Sequence, residues 1–186
     1  MVAGYLGSLD VILVPESAII VPTPEAEALV GHFREKFDPS AKVGLSAHIT
    51  LLYPFVRPHQ ITDAVIRRLR EFADAHSRFK YRLDSTARFV DTLYLAPHPA
   101  KPFVDLVEAL VEQFPAHRPY RGRYGSIVPH LTVAHGEGLP LDELQGELSK
   151  HRLLREGISA SCEMLVLIEN TSGLWRARER IALRNA

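Results

Sequence analysis

Two rhythms of apolar and polar positions run through this chain. Phe103, Leu106, Val107, Leu110, Val111 and Phe114 recur at i, i+3, i+4 and i+7 behind Pro102, the spacing of one buried helical face entered through proline. Leu29, Val30, Phe33 and Phe37 repeat that spacing. Thr23-Pro24-Glu25 before them reads as an N-cap, a proline at the first helical position and an acidic first turn. Pro39 and Gly44 close that element. Val65, Ile66, Leu69, Phe72 and Ala73, behind a capping Thr62, mark a further helix, and Leu141, Leu144 and Leu148 another.

Between the helices stand short runs rich in β-branched residues. Residues 10–15, 47–55, 128–134, 158–168 and 175–183 each read as a strand, and 79–96 as two or three. Residues 115–125, rich in Pro, Arg, Gly and Tyr, read as a loop. Strands bunched between single helices predict an α+β fold with two mainly antiparallel sheets rather than a doubly wound parallel one. One domain spanning 1–186 is expected. The plan also repeats weakly: a helix precedes and follows both Ala47-His48-Ile49-Thr50-Leu51-Leu52-Tyr53 and Pro129-His130-Leu131-Thr132-Val133-Ala134-His135. Two halves of similar plan are predicted, each supplying one His-x-Thr strand.

Composition narrows the ligand. Of 186 residues, 46 % are apolar and 24 % charged, the balance of a chain with a real core. Lys plus Arg equals Asp plus Glu at 22 each. Proteins that track long nucleic acids carry a basic excess, so neutrality points to a small nucleotide or a short RNA terminus, not a long duplex. Cys162 is the only cysteine and lies in an apolar run. It forms no internal disulfide and reads as a small buried hydrophobe. No signal peptide and no membrane-length apolar stretch is visible, so a cytoplasmic monomer without membrane contact is expected.

In a strand, residues i and i+2 share a face, roughly 6.5–7 Å apart. His48 and Thr50 therefore project together against Ile49 and Leu51, and His130 and Thr132 against Leu131 and Val133. If the two halves face each other, four polar groups converge. One neutral imidazole can take a proton from water or a hydroxyl, and a protonated one can supply the departing oxygen. Threonine hydroxyls can hold non-bridging phosphoryl oxygens as charge develops on them. Two chance occurrences of the pattern among nine histidines have a probability of roughly 2 %.

At these residues the sequence resembles the 2H phosphoesterase superfamily, the group of 2′–5′ RNA ligase-like proteins and cyclic phosphodiesterases. That family carries paired His-x-[Thr/Ser]-x tetrapeptides, here His48-Ile49-Thr50-Leu51 and, 82 residues later and behind Pro129, His130-Leu131-Thr132-Val133. The resemblance implies a bilobal pseudo-twofold fold around a central groove. It implies metal-independent hydrolysis of a 2′,3′-cyclic phosphate, with catalytic His48 and His130, phosphate-binding Thr50 and Thr132, and no cofactor. A nucleotide- or RNA-end-binding module without turnover and a reversible 2′–5′ RNA ligase are the alternatives.

A nucleotide also needs a stacking surface or a cation. Tyr120, Arg121, Arg123 and Tyr124, in the loop before the second motif, are candidate substrate-binding residues. Phe55 is another, placed back on the His48 face by a change of register at Pro54; alternation takes Tyr53 off that face. Arg176, Arg178 and Arg180 alternate on the last strand and read as a charged, exposed sheet face, and Trp175 as core or groove rim. No zinc spacing is present: the closest histidines, His130 and His135, are five apart and should face opposite ways. No P-loop or nucleophile elbow occurs.

Overall fold

The computed structural model describes residues 14–123 and 125–185. In chain order these form β1 (Ser17–Pro22), α1 (Glu27–Phe37), the short α2 (Pro39–Lys42), β2 (His48–Leu52), α3 (Asp63–Ala75), β3 (Phe79–Phe89), β4 (Thr92–His98) and α4 (Lys101–Gln113). Then come β5 (Leu131–His135), α5 (Leu141–Lys150), α6 (Arg152–Glu156), β6 (Ile158–Cys162), β7 (Met164–Glu169) and β8 (Arg176–Ala182). The strands make two four-stranded sheets, ordered β2-β1-β7-β8 and β5-β4-β3-β6. All neighbouring pairs are antiparallel. The α+β reading with two antiparallel sheets therefore holds, and each motif strand takes the same place, at the edge of its own sheet.

Most of the strand expected over 10–15 lies outside the described residues, and its last two positions, Val14 and Pro15, are not in a strand. Among the described residues the first strand is β1, whose run Ala18-Ile19-Ile20-Val21 is buried throughout. It sits between β2 and β7 with both faces covered, so it shows none of the alternation that marks a half-exposed strand. The run 158–168, read as one strand, is two. β6 pairs with β3 (Phe79↔Cys162) and β7 with β1 (Ile19↔Leu167), so the chain changes sheets at Glu163. Apolar residues continue on both sides, and the crossing leaves no gap in the hydrophobic pattern.

The helices bury the stripes that their spacing predicts. Leu29, Val30 and Phe33 of α1, Leu69, Phe72 and Ala73 of α3, and Leu141, Leu144 and Leu148 of α5 all enter the core, with Phe37, Val65 and Ile66 partly buried against it. The capping assignments fare differently. Thr23 makes no cap bond; its hydroxyl lies 2.9 Å from that of Tyr81 in β3, tying the start of α1 to the second sheet. Thr62 also makes no side-chain cap bond. On β8, Arg178 donates to the carbonyls of Pro58 and Ile61, 3.0 Å each, while Arg176 and Arg180 face solvent.

One continuous cluster of buried side chains runs from Ile19, Val21 and Ile49 in the first sheet to Leu83, Leu95 and Leu131 in the second. A smaller cluster, Ala18, Ile20, Val166 and Ile168, covers the opposite face of the first sheet, with Leu45, Tyr53 and Trp175 against it. The helices cross over. α1, which precedes β2, packs against β5, whereas α4, the last helix before β5, packs against β2. This exchange is what brings the two edge strands into contact.

Phe103 anchors α4, fully buried with its ring edge-to-face on Phe79 and Tyr81 at 4.9 Å each. Phe103→Ala should cost about 3–5 kcal/mol of stability, read as a fall in the urea midpoint with an unchanged slope. A loss under about 1 kcal/mol would show that α4 is held elsewhere.

Candidate active site

The apolar residues of each motif strand go to the core and the polar ones do not. Ile49, Leu51, Leu131 and Val133 are 0–2 % exposed, while His48, Thr50, His130 and Thr132 are half-buried. All four polar residues line one groove of about 1640 Å³, which meets the first condition set by the sequence. Among the described residues no group of three His, Cys, Asp or Glu side chains is placed to hold a metal ion.

Each motif strand carries a matching irregularity. Ile19 pairs with Leu52 and Ile20 with Thr50, which leaves Leu51 as an extra residue in β2. Leu93 pairs with Ala134 and Tyr94 with Thr132, which leaves Val133 extra in β5. A bulge shifts the alternation by one. The residue five beyond each histidine, Tyr53 in one half and His135 in the other, therefore returns to the groove wall. Both departures from simple alternation, Tyr53 and His135, correct the expectation that they face away. The sequence signal is the pair of adjacent apolar residues after each threonine, Leu51-Leu52 and Val133-Ala134.

Both imidazoles are held the same way. His48 Nδ1 lies 2.7 Å from the carbonyl oxygen of Ser46, and His130 Nδ1 lies 2.7 Å from that of Val128. A carbonyl only accepts, so Nδ1 carries the hydrogen and Nε2 is left as the free acceptor of the neutral ring. The His130 ring further packs against the contacting pair Phe89 and Tyr94, with centroids at 5.2 and 5.3 Å. Burial lowers the pKa of His48 to about 4; the Ser46 carbonyl opposes this, and the charges of Arg34 and His130 add to it. Burial also lowers that of His130, against the pull of the Val128 carbonyl and with a contribution from His135. His135 has its own anchor, since its Nδ1 lies 2.8 Å from the Thr92 hydroxyl, which in turn donates to Asp91 at 3.0 Å.

Arg34 joins the two motif segments. It is 1 % exposed, in α1. Its Nη1 donates to the carbonyl of Thr132 at 2.8 Å, and its Nη2 to those of Leu45 at 2.8 Å and Ser46 at 3.4 Å. Asp38, one turn on, brings Oδ2 to 2.7 Å of Nη1 as an ion pair, without a hydrogen bond on that oxygen. One guanidinium thus ties the entrance of β2 to the middle of β5. Sequence reasoning missed it, although Arg34 falls four residues after Val30 on the edge of the apolar stripe, where a cation needs a reason.

The outlying candidates divide. Tyr120 lines the groove and meets Tyr53 edge-on at 6.2 Å, and Tyr53 in turn meets Trp175 at 6.1 Å. These rings form an aromatic shelf on the wall of the groove that Thr50 also lines. The Tyr53 hydroxyl donates to Glu16, and burial together with that carboxylate raises its pKa to about 12. Phe55 is a correction: it is 4 % exposed, packed edge-on against Phe114 at 5.0 Å. β2 ends at Leu52, so alternation does not extend to it. Arg121 turns to Glu16, 3.1 Å away, and neither it nor the exposed Arg123 lines the groove; Arg118, three residues before Arg121, does. Tyr124 lies outside the described residues.

Two edge strands, each presenting His-x-Thr into a shared groove between two antiparallel sheets, define a chain of the bilobal two-histidine class. The comparisons with known proteins agree. The family profile of the 2′-5′ RNA ligase superfamily matches residues 21–173, and the chain belongs to that superfamily of 2H phosphoesterases. It is 28 % identical over 171 residues to the protein named "Putative phosphoesterase BH1439" of Halalkalibacterium halodurans, covering 88 % of this chain and 94 % of that one. In fold it is similar to TT0787 of Thermus thermophilus (TM-score 0.61, 18 % identity, 92 % of this chain and 98 % of that one). It is also similar to E. coli LigT complexed with NADP+ (TM-score 0.54, 17 % identity, 91 % and 97 %).

Two outcomes follow from this geometry. Arg34→Met strands Asp38 in the interior and should cost about 3–5 kcal/mol; adding Asp38→Asn should recover part of that loss, and equal urea midpoints for the single and double variants would refute the pairing. His48 resists protonation when folded but not when unfolded. The stability it contributes is present above pH 6.5 and is lost as pH falls through about 4. His48→Gln should flatten the stability profile across that window; an unchanged profile would place the titration elsewhere.

Proposed function

We propose that the protein is a metal-independent phosphoesterase that opens a cyclic phosphodiester, the 2′,3′-cyclic phosphate of a nucleotide or RNA end, by His/His acid–base catalysis. The observation that carries this reading is the shared groove with two imidazoles, each anchored through Nδ1 and each beside its own threonine. Membership of the 2′-5′ RNA ligase superfamily supports the reaction class. Crystal structures of LigT with 3′-AMP and with ATP support a nucleotide as the ligand.

In this mechanism His48, whose pKa is pushed to about 4, is the neutral partner and general base. Its Nε2 takes a proton from water as the water oxygen forms a bond to phosphorus. The P–O bond to one ring oxygen of the cyclic phosphate breaks, and that oxygen receives the proton carried by His130 Nε2. Thr50 and Thr132 hydroxyls donate to the non-bridging oxygens, where charge increases in the transition state. The product is a phosphomonoester, and exchange of one proton with solvent restores both rings. With a 5′-hydroxyl in place of water as the attacking group, and with the P–O bond to the 3′-oxygen breaking, the same steps form a 2′–5′ linkage.

Phosphorus NMR of the pure protein with 2′,3′-cyclic AMP in EDTA should show conversion to a monoester. His48→Ala and His130→Ala should each lower kcat by roughly 10²–10⁴. Binding without conversion would make the protein a nucleotide-binding module, and full activity in the double variant would remove the mechanism. The pH dependence carries its own sign. Protonation of His48 near pH 4 closes the acid limb, and deprotonation of His130, lowered below 6.5, closes the alkaline limb. kcat/KM should therefore peak on the acid side of neutrality, and a maximum above about pH 7.5 would contradict it.

A further inference from the structure

The wall of the groove differs in charge from a surface built to hold a nucleic-acid strand. α4 contributes Val104, Glu108, Val111 and Glu112 to it, and the turn after β3 contributes Asp91. Glu108 and Glu112 are exposed, one helical turn apart, and neither forms an ion pair among the described residues. Lys101, the nearest cation on that helix, is held by Asp105 at 2.7 Å. Arg118 is the one Lys or Arg among the described residues that line the groove. Arg34 is engaged with Asp38, and Arg121 with Glu16.

Glu108 and Glu112 line the α4 side of the groove. The charges that act on His48 are Arg34, Asp38 and His130, and on His130 the charge of His135. A phosphoryl group between the imidazoles meets the two threonine hydroxyls and the Nε2–H of the protonated ring. The next phosphate of an RNA strand that ran along the α4 wall would share the groove with these carboxylates, at separations where a Debye length of about 8 Å leaves their repulsion only partly screened. Strand-binding grooves are lined with Lys and Arg for the opposite reason. Val104 and Val111, beside the glutamates, suit an uncharged sugar or base.

We infer that the substrate carries a single phosphate, a free nucleoside 2′,3′-cyclic phosphate or a similarly small monoanion, and that Glu108 and Glu112 exclude a polyanionic RNA end. The inference rests on the phosphoesterase reading and narrows its substrate. Its test compares kcat/KM for 2′,3′-cyclic AMP with that for an adenosine trinucleotide ending in the same cyclic phosphate, at 50 and 200 mM NaCl. The mononucleotide should be favoured by about tenfold or more at low salt, and added salt should narrow the gap. Glu108→Gln/Glu112→Gln should narrow it by about threefold for each glutamate while leaving turnover of the mononucleotide unchanged. A preference for the trinucleotide that weakens with salt, or discrimination untouched by the double substitution, would overturn the inference. Should neither compound be hydrolysed, the phosphoesterase reading fails by itself. Calorimetric titration of the same two ligands, wild type against double variant, then decides the charge filter.

Discussion

A guanidinium buried between the two halves is the constraint on which the site depends. Taking a cation out of water costs several kcal/mol unless it is paired and its donors are met; Asp38 pairs the charge of Arg34, and the carbonyls of Leu45, Ser46 and Thr132 take its Nη donors, while its Nε has no hydrogen-bond partner. Those carbonyls belong to the two motif segments. The free energy that demands acceptors for Arg34 therefore also draws the entrance of β2 and the body of β5 to one point. The Ser46 carbonyl that Arg34 touches also anchors the His48 ring. The positive charge next to it helps hold that ring neutral. Structural strap and electrostatic influence come from one side chain.

How much of this was legible in the sequence depends on the scale of the signal. Helices with a continuous apolar stripe, such as Phe103 to Phe114, declared themselves, because burying one face forces a 3.6-residue period. The His-x-Thr pairs were legible because alternation fixes which side chains share a face over two residues. Alternation failed one step later, at Leu51 and Val133, where a bulge restores Tyr53 and His135 to the groove. Phe55 was misplaced for the related reason that the strand stops at Leu52. Long-range pairings were the least visible. Nothing local at Thr23 indicates Tyr81, and nothing in the run around Glu163 says that the chain is passing from one sheet to the other.

The electrostatics of the chain are of one piece. Its formal charge is zero, its groove imidazoles are held toward their neutral forms, and the cations nearest the groove are mostly engaged in internal pairs. Affinity for a phosphoryl group then comes from directed donors, the two hydroxyls and one imidazolium, rather than from a field of positive charge. Such a site suits a ligand recognised at one phosphorus, with the aromatic shelf of Tyr53, Tyr120 and Trp175 offering the contact for a base.

The claim beneath all of this is that two imidazoles of fixed tautomer open on a space for a single phosphorus atom. Long-range ¹H–¹⁵N NMR of the histidine side chains, during titration with inorganic phosphate, measures it directly. At pH 7 both His48 and His130 should show the Nδ1–H tautomer, and both Nε2 resonances should move together along one saturable curve. An Nε2–H tautomer at either residue, or a response confined to one ring, would contradict the account.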